Sequence, residues 1–326
     1  MITPDYYEKF RCVGSECTHN CCRGGWDIEI DDDALERFKA IEGEFGDHVR
    51  AAVGEDNIFL RTNGQCVLLD SAGLCEMAKR GEKLCIVCDE YPRFTEFYDT
   101  ATERGISLSC EAAADIIIND QNKVRLVGED DYGDAPILAL ALHTRKELFK
   151  ILQDRETDIF KRIRLALDYT HFVQSRVNEN NYEICEYSAR DTIDGDANLC
   201  AVIDILRELE ILNDDWSDML DAVYEAELSN AHHNIDQLKY EQIAVYFIYR
   251  YLLKGVFDCD FLSKMKFAAL SIMVIAALDS IYHNTAECAR MYSIEIEHNE
   301  DNIEAIYDEF LFSDELSYEK IINMIK

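Results

Sequence analysis

Between residues 12 and 22 the chain places four thiols, Cys12, Cys17, Cys21 and Cys22, in the stretch RCVGSECTHNCCRGGWD. Thiols this close, ending in a vicinal pair that makes a poor core element, point to thiolates converging on a metal ion or cluster. Cys66, Cys75, Cys85, Cys88 and Cys110 follow, so the spacing reads C-x4-C-x3-CC, then C-x8-C-x9-C-x2-C, then a last thiol. Ionised together near neutral pH, such groups need a strong Lewis acid to suppress reprotonation and mutual repulsion, which zinc or an iron–sulfur cluster supplies. Either centre usually takes four protein ligands. The nine therefore serve two four-thiol sites with one spare, or one site plus structural or redox thiols, and spacing alone leaves both open. The ferredoxin run C-x2-C-x2-C-x3-C-P is absent. The C-x3-C-x2-C pattern of radical enzymes that cleave S-adenosylmethionine starts at Cys17 and Cys21 but meets Gly24 where the third thiol belongs. Cys185, Cys200, Cys259 and Cys288 lie in helical patterns or polar linkers and are assigned no role.

The elements that must hold these thiols are short. Trp26 to Ile30 alternates apolar and polar residues like a strand, and the acidic run 31–33 offers N-caps for a helix over 34–41. Asn63-Gly64 marks a turn between two short strands within 58–69, a second turn covers 70–73, and short helices are predicted over 76–84 and 111–118. Pro92, rigid in φ, fixes the exit from the Cys85-x2-Cys88 turn. Beyond residue 139 the pattern becomes amphipathic helix, over 140–174, 199–212, 216–228, 240–256, 267–282 and 302–325. The expected fold class is mainly α: a small cysteine-rich α+β region at 1–125, then a helical region at 126–326, with a soft boundary within 120–138.

With 65 acidic against 32 basic residues and a net charge of −33, partners bound mainly through phosphates, nucleic acid or an anionic membrane surface, are disfavoured. A solvated surface explains the charge, as does attraction of a lysine-bearing protein. The start lacks the basic and apolar regions of a secretory signal, and the apolar run 267–278 is too short to span a bilayer, so a cytoplasmic location is expected. A reducing compartment favours metal or redox roles for the cysteines over disulfides.

Taken together, YYEKFRCVGSECTHNCCRGGWDIEID, GQCVLLDSAGLC, LCIVCDEYPR and ERGISLSCEAA resemble the flagellin lysine-N-methylase family, and more broadly the cysteine-rich zinc- or iron-chelating domains related to it. The resemblance covers Tyr6 to Ala114; the helical remainder matches in general character. It implies methyl transfer from S-adenosylmethionine to lysine side chains of flagellin or another lysine-bearing protein. It also implies that Cys12, Cys17, Cys21, Cys22, Cys66, Cys75, Cys85, Cys88 and Cys110 hold a metal centre, iron–sulfur with zinc as the alternative. Trp26, Tyr91, Pro92, Arg93, Glu103 and Arg104 match recurrent positions of that family.

A lysine ammonium must lose its proton before its nitrogen attacks a sulfonium methyl, which calls for an apolar channel with carboxylate or tyrosine groups. Tyr91 and Glu103 are candidates for that channel, against the plainer readings of a packed aromatic and a surface carboxylate. Arg93 and Arg104 are candidates to neutralise a cluster or bind the cofactor's carboxylate, or are ordinary ion-pair partners. No strand–glycine-turn–helix unit of the usual S-adenosylmethionine fold is present; residues 124–133 echo it weakly. A rival reading is a non-catalytic iron- or zinc-binding module for storage, delivery or sensing, and a third makes the metal structural and the helices an adaptor.

Overall fold

The computed structural model describes residues 1–23, 27–189, 197, 199–228 and 235–325. Gly24 to Trp26 lie outside the described residues, and with them the expectations for Gly24 and Trp26. The fold is mainly helical with a cysteine-bearing part of short strands and helices near its N-terminus.

The first part runs β1 (Thr3–Pro4), α1 (Asp32–Ala40), α2 (Gly43–Ala51), β2 (Arg61–Thr62), β3 (Gln65–Cys66), α3 (Glu76–Lys79), α4 (Ile86–Glu90), β4 (Arg93–Tyr98), β5 (Ala101–Ile106), α5 (Glu111–Ile118) and β6 (Leu126–Val127). Among the described residues its ladders are three antiparallel pairs, β1 with β6, β2 with β3, and β4 with β5. Asp31 caps α1 by accepting the Ala34 N–H, as the acidic run predicts. The β2–β3 turn has Asn63 and Gly64 at φ of 51° and 75°, the positive pair a tight hairpin requires. The alternation at 27–30 holds in burial, with Ile28 and Ile30 inside, but pairing is limited to a single bridge from Glu29 to Ile58. Helix α3 is shorter than its predicted span because the chain turns at Gly81, whose φ is 72°. The β4–β5 hairpin, in register from Arg93↔Ile106 to Tyr98↔Ala101, was not predicted as strands.

The second part is α6 (Pro136–Leu152), α7 (Ile159–Asn178), α8 (Cys200–Glu208), α9 (Asp215–Leu228), α10 (Gln237–Tyr251), α11 (Gly255–Asp258), α12 (Phe261–Tyr282), α13 (Thr285–Tyr292), α14 (Glu300–Phe312) and α15 (Tyr318–Met324), with a π-helical segment, Ser293–Glu297, after α13. Spacing predicts one helix over 140–174; the structure has two. The Asp154 carboxylate takes the Glu156 N–H and the Thr157 hydroxyl, and Asp158 then caps α7 through Phe160 and Lys161 N–H groups. In the same way Ser313 accepts the Glu315 N–H and divides 302–325 into α14 and α15. Asn284 caps α13, a helix not predicted from the sequence, where the expected helices stop at 282 and resume at 302.

Helix α12 lies at the centre, against α7, α9, α10 and α13. It is 22 residues long and apolar enough to cross a membrane by length and composition, contrary to the expectation from the shorter run 267–278. It is instead a core helix, with 89% of its most apolar window buried in protein. Its Lys266 ammonium is satisfied by the Phe310 and Leu316 carbonyls.

Two apolar cores result. The larger joins Tyr6, Phe10, Tyr98, Ile106 and α5 to the helices; the smaller gathers Ile28, Ile30, Phe38, Phe59, Leu68 and Met77 with Cys66 and Cys85. Each large side chain so buried contributes about 1.5–3 kcal/mol. Polar seams cross the larger core. Glu103 on β5 meets Arg145 of α6 at 2.8 Å, both almost fully buried, and the Tyr132 hydroxyl donates to the same carboxylate. Arg250 of α10 meets Glu297 at 3.2 Å, and the Tyr246 and Tyr251 hydroxyls also donate to Glu297.

Two outcomes follow for stability. Glu103→Gln or Arg145→Met, each stranding a buried partner, costs about 3 kcal/mol in urea unfolding, and the double variant loses less than the sum. In Glu295, burial pushes the carboxyl up to about 7, with one oxygen accepting the Leu212 N–H. The folded state then binds more protons than the unfolded one between pH 4.5 and 7, so stability falls as pH rises through that window. Glu295→Gln matches the parent at pH 4 and exceeds it by about 2 kcal/mol at pH 8 in the same measurement.

Candidate functional site

The cysteines sit where backbone N–H groups are free to point at sulfur. Cys75, Cys85 and Cys110 occupy the N-caps of α3, α4 and α5. The N–H groups of Met77 and Ala78 approach Cys75, that of Cys88 approaches Cys85, and those of Ala112 and Ala113 approach Cys110. Leu68 does the same for Cys66 beyond the hairpin turn, and His19 for Cys17. Orphan donors of a helix start stabilise negative sulfur, so short helices placed after cysteines build thiolate sites.

Burial opposes ionisation. It pushes the Cys66, Cys75 and Cys110 thiols up, and with Glu111 alongside it pushes Cys17 up to about 12. Two pairs divide the effect. Cys21 accepts a hydrogen bond from Cys22 and falls to about 7, and Cys85 accepts one from Cys88 and falls to about 7. Cys22 and Cys88, as donors in buried positions, rise far above the ordinary thiol value.

Five thiols, Cys22, Cys66, Cys75, Cys85 and Cys88, wall an enclosed hollow of about 20 Å³ with Phe38, Phe59 and Met77. A cavity of about 370 Å³ adjoins it, sharing Cys22, Cys75 and Cys88 and adding Cys12, Cys17, Cys21 and Cys110. Each of the nine cysteines of the N-terminal series therefore lines one or both of these two neighbouring spaces. Among the described residues, no three His, Cys, Asp or Glu side chains stand at metal-holding separations; the thiols of the two pairs face one another. Chemically the donor set suits a thiophilic centre: soft sulfur, backbone N–H support and an apolar wall.

Of the other sequence candidates, Tyr91 and Arg93 line the larger cavity with Pro92, whose peptide bond to Tyr91 is cis. The Arg93 guanidinium lies 5.1 Å from the Phe10 ring centre. Glu103 and Arg104 stand elsewhere: Glu103 is the buried partner of Arg145 rather than a surface carboxylate, and Arg104 pairs with Glu90. His19 adds a polar wall to the cavity, its Nδ1 3.2 Å from Glu111 and its Nε2 3.4 Å from Glu287 of α13.

Sequence reasoning did not reach the support behind Tyr91. The Tyr91 hydroxyl donates to Ser109 Oγ at 3.2 Å, and Ser109 Oγ lies 2.6 Å from Nε2 of His298, just after the π-helical segment. Burial, with Arg250 nearby, lowers His298 to about 4, so its imidazole is neutral at pH 7. Burial also raises the Tyr91 phenol above its ordinary value. The only local signal for this contact is the irregular turn after α13, since π-helical insertions often mark functional positions.

The FliB lysine N-methylase C-terminal domain family matches residues 145–324, the helical part. Among curated proteins, the flagellar biosynthetic protein FliU of Salmonella muenchen is 26% identical over 154 residues, 42% of this chain and 88% of that protein. Lysine-N-methylases of Salmonella typhimurium and Salmonella choleraesuis are each 27% identical over 142 residues, 39% of this chain. The matched stretch is about a third (34%) of each methylase's length. No solved structure matches the chain.

Asp31 ties the thiol lobe together, since one carboxylate oxygen takes the Ala34 N–H and the other takes the Ile86 N–H at 2.8 Å, beside Cys85. These bonds hold its carboxyl below the ordinary value. Their stabilisation is present above about pH 4 and is lost as pH falls through the depressed value. Asp31→Ala should cost about 1–2 kcal/mol at pH 7 and speed alkylation of Cys85 and Cys88, read by peptide mass.

Proposed function

Because the chain belongs to the FliB lysine N-methylase family, we propose that it methylates lysine side chains of a flagellar protein, flagellin, with S-adenosylmethionine as methyl donor and a cysteine-held metal centre beside the reaction site. One observation carries this reading: seven of the nine thiols line a cavity whose Tyr91 wall is backed by His298 of the family-matching helical part, and the other two, Cys66 and Cys85, line the hollow beside it.

Cys22, Cys66, Cys75, Cys85 and Cys88 form the inner set for the metal, with Cys12, Cys17, Cys21 and Cys110 as the outer set. An iron–sulfur cluster there supplies a compact positive core that thiolates can surround without mutual repulsion; zinc would do the same for four of them. S-adenosylmethionine supplies the methyl group. Arg93, on the wall of the larger cavity, is the cation suited to its carboxylate. The described ladders are antiparallel pairs, so this chain offers no doubly wound sheet for the cofactor among the described residues.

The residues of the chain deal with the lysine. In the cavity of about 370 Å³, contact with Ile28, Leu74 and Leu84 displaces water from an entering ammonium and so lowers its affinity for its proton. The neutral Tyr91 hydroxyl orients the amine, because Ser109 Oγ accepts its own hydrogen and is in turn held by neutral His298. The acidic surface, at net charge −33, attracts lysine-bearing proteins and disfavours nucleic acid.

The test is incubation of metal-replete protein with S-adenosylmethionine and lysine-bearing flagellin, reading lysine masses. Methyl increments on flagellin are expected, and Tyr91→Phe should slow their appearance about 10²-fold while leaving bound metal unchanged. Unshifted lysine masses with an intact centre contradict the proposal.

A further inference from the structure

Away from the cysteines the charge of the chain inverts. Residues 145–164 carry seven basic and four acidic side chains, against 32 and 65 in the whole sequence. They form the elbow between α6 and α7, which opens a cavity of about 700 Å³. Lys146, Phe149 and Lys150 line it from one face of α6, with Gln153 at the C-cap of that helix continuing the spacing. Arg162 comes from α7 and Lys123 from the segment before α6. Lys150 has a partner in Glu147, whereas Lys123 and Lys146 have no ion-pair partner among the described residues. The one acidic lining residue, Asp154, is engaged by the Glu156 N–H and the Thr157 hydroxyl.

Two of the lining residues also each carry a buried polar atom without a partner. Arg162 is almost fully buried; it donates through one terminal nitrogen to the Leu152 carbonyl and to Glu241, but its Nε has no acceptor. Gln153 donates to the Val124 carbonyl while its Oε1 has no donor. A buried donor and a buried acceptor left open, under a rim of lysines, ask for a ligand that carries both an anion and a hydrogen-bond donor. Phe149 and Leu165 add an apolar wall for its body.

From these features we infer that the α6–α7 elbow is a binding site for a phosphorylated small molecule bearing hydroxyl or amino donors, such as a nucleotide. Lys123 and Lys146 draw the phosphate in, Arg162 and Gln153 fix its orientation, and Phe149 covers an apolar or aromatic part. The site is separate from the cysteine cavity and does not depend on methyl transfer.

Isothermal titration calorimetry of the full chain at low ionic strength, with inorganic pyrophosphate and with adenosine monophosphate, tests the inference. Saturable, mutually competitive binding of both is expected, weakened tenfold or more in Lys123→Ala/Lys146→Ala and unchanged in Lys83→Ala, an exposed lysine outside the elbow. Failure of the parent to bind either probe, an equal loss in Lys83→Ala, or binding of pyrophosphate alone overturns it. Binding to phosphatidylserine vesicles but to neither soluble phosphate also overturns it, by assigning the charge to a lipid surface.

Discussion

Crowding of sulfur is the constraint on which the N-terminal part depends. Nine thiols share the walls of two adjoining spaces, and burial holds most of them protonated unless a cation joins them. The local folds answer that constraint with one device repeated: a cysteine in extended backbone, then a helix start or tight turn whose N–H groups face the sulfur. Elements this short are poor helices and strands by themselves. They persist because Asp31, the β2–β3 turn and a small apolar core fasten them.

A second constraint comes from the helical body. Burial works against the charge of Arg250, yet Glu297 beside it, with Tyr246 and Tyr251, holds the guanidinium well above its ordinary value. A buried pair of this kind does little for net stability but fixes register, since any slip strands a charge. Register matters here because the same turn presents His298 to Ser109 and Ser293 to Ser107, the two serines of the turn that follows β5. The helices thus set where Tyr91 stands on the cavity wall.

Much of this was legible in residue types. The Asn63-Gly64 turn, the capped helix after Asp31, the helix after Cys110 and the mainly helical remainder follow from local chemistry and periodicity. So did the motifs that resemble the lysine-N-methylase family, although the family match itself covers the helical residues 145–324. What stayed hidden was decided at long range. Glu103 looked free because Arg145, its partner, lies 42 positions away, and His298 is 189 positions from Ser109. The breaks at Asp154 and Ser313 were missed because apolar spacing continues across them while short polar side chains take the backbone hydrogen bonds. Helix α12 extends past its apolar run because Asp260 caps it seven residues before that run begins.

The central proposal is that cysteines of the N-terminal series, Cys85 and Cys88 among them, hold a metal centre rather than standing as independent thiols. Metal analysis with the visible spectrum of anaerobically prepared protein tests it most directly. The account predicts iron with sulfur-to-iron charge-transfer absorption, both lost in Cys85→Ser/Cys88→Ser and both retained in Cys259→Ser. A folded, colourless protein without bound metal, in which all nine thiols alkylate independently, would contradict it.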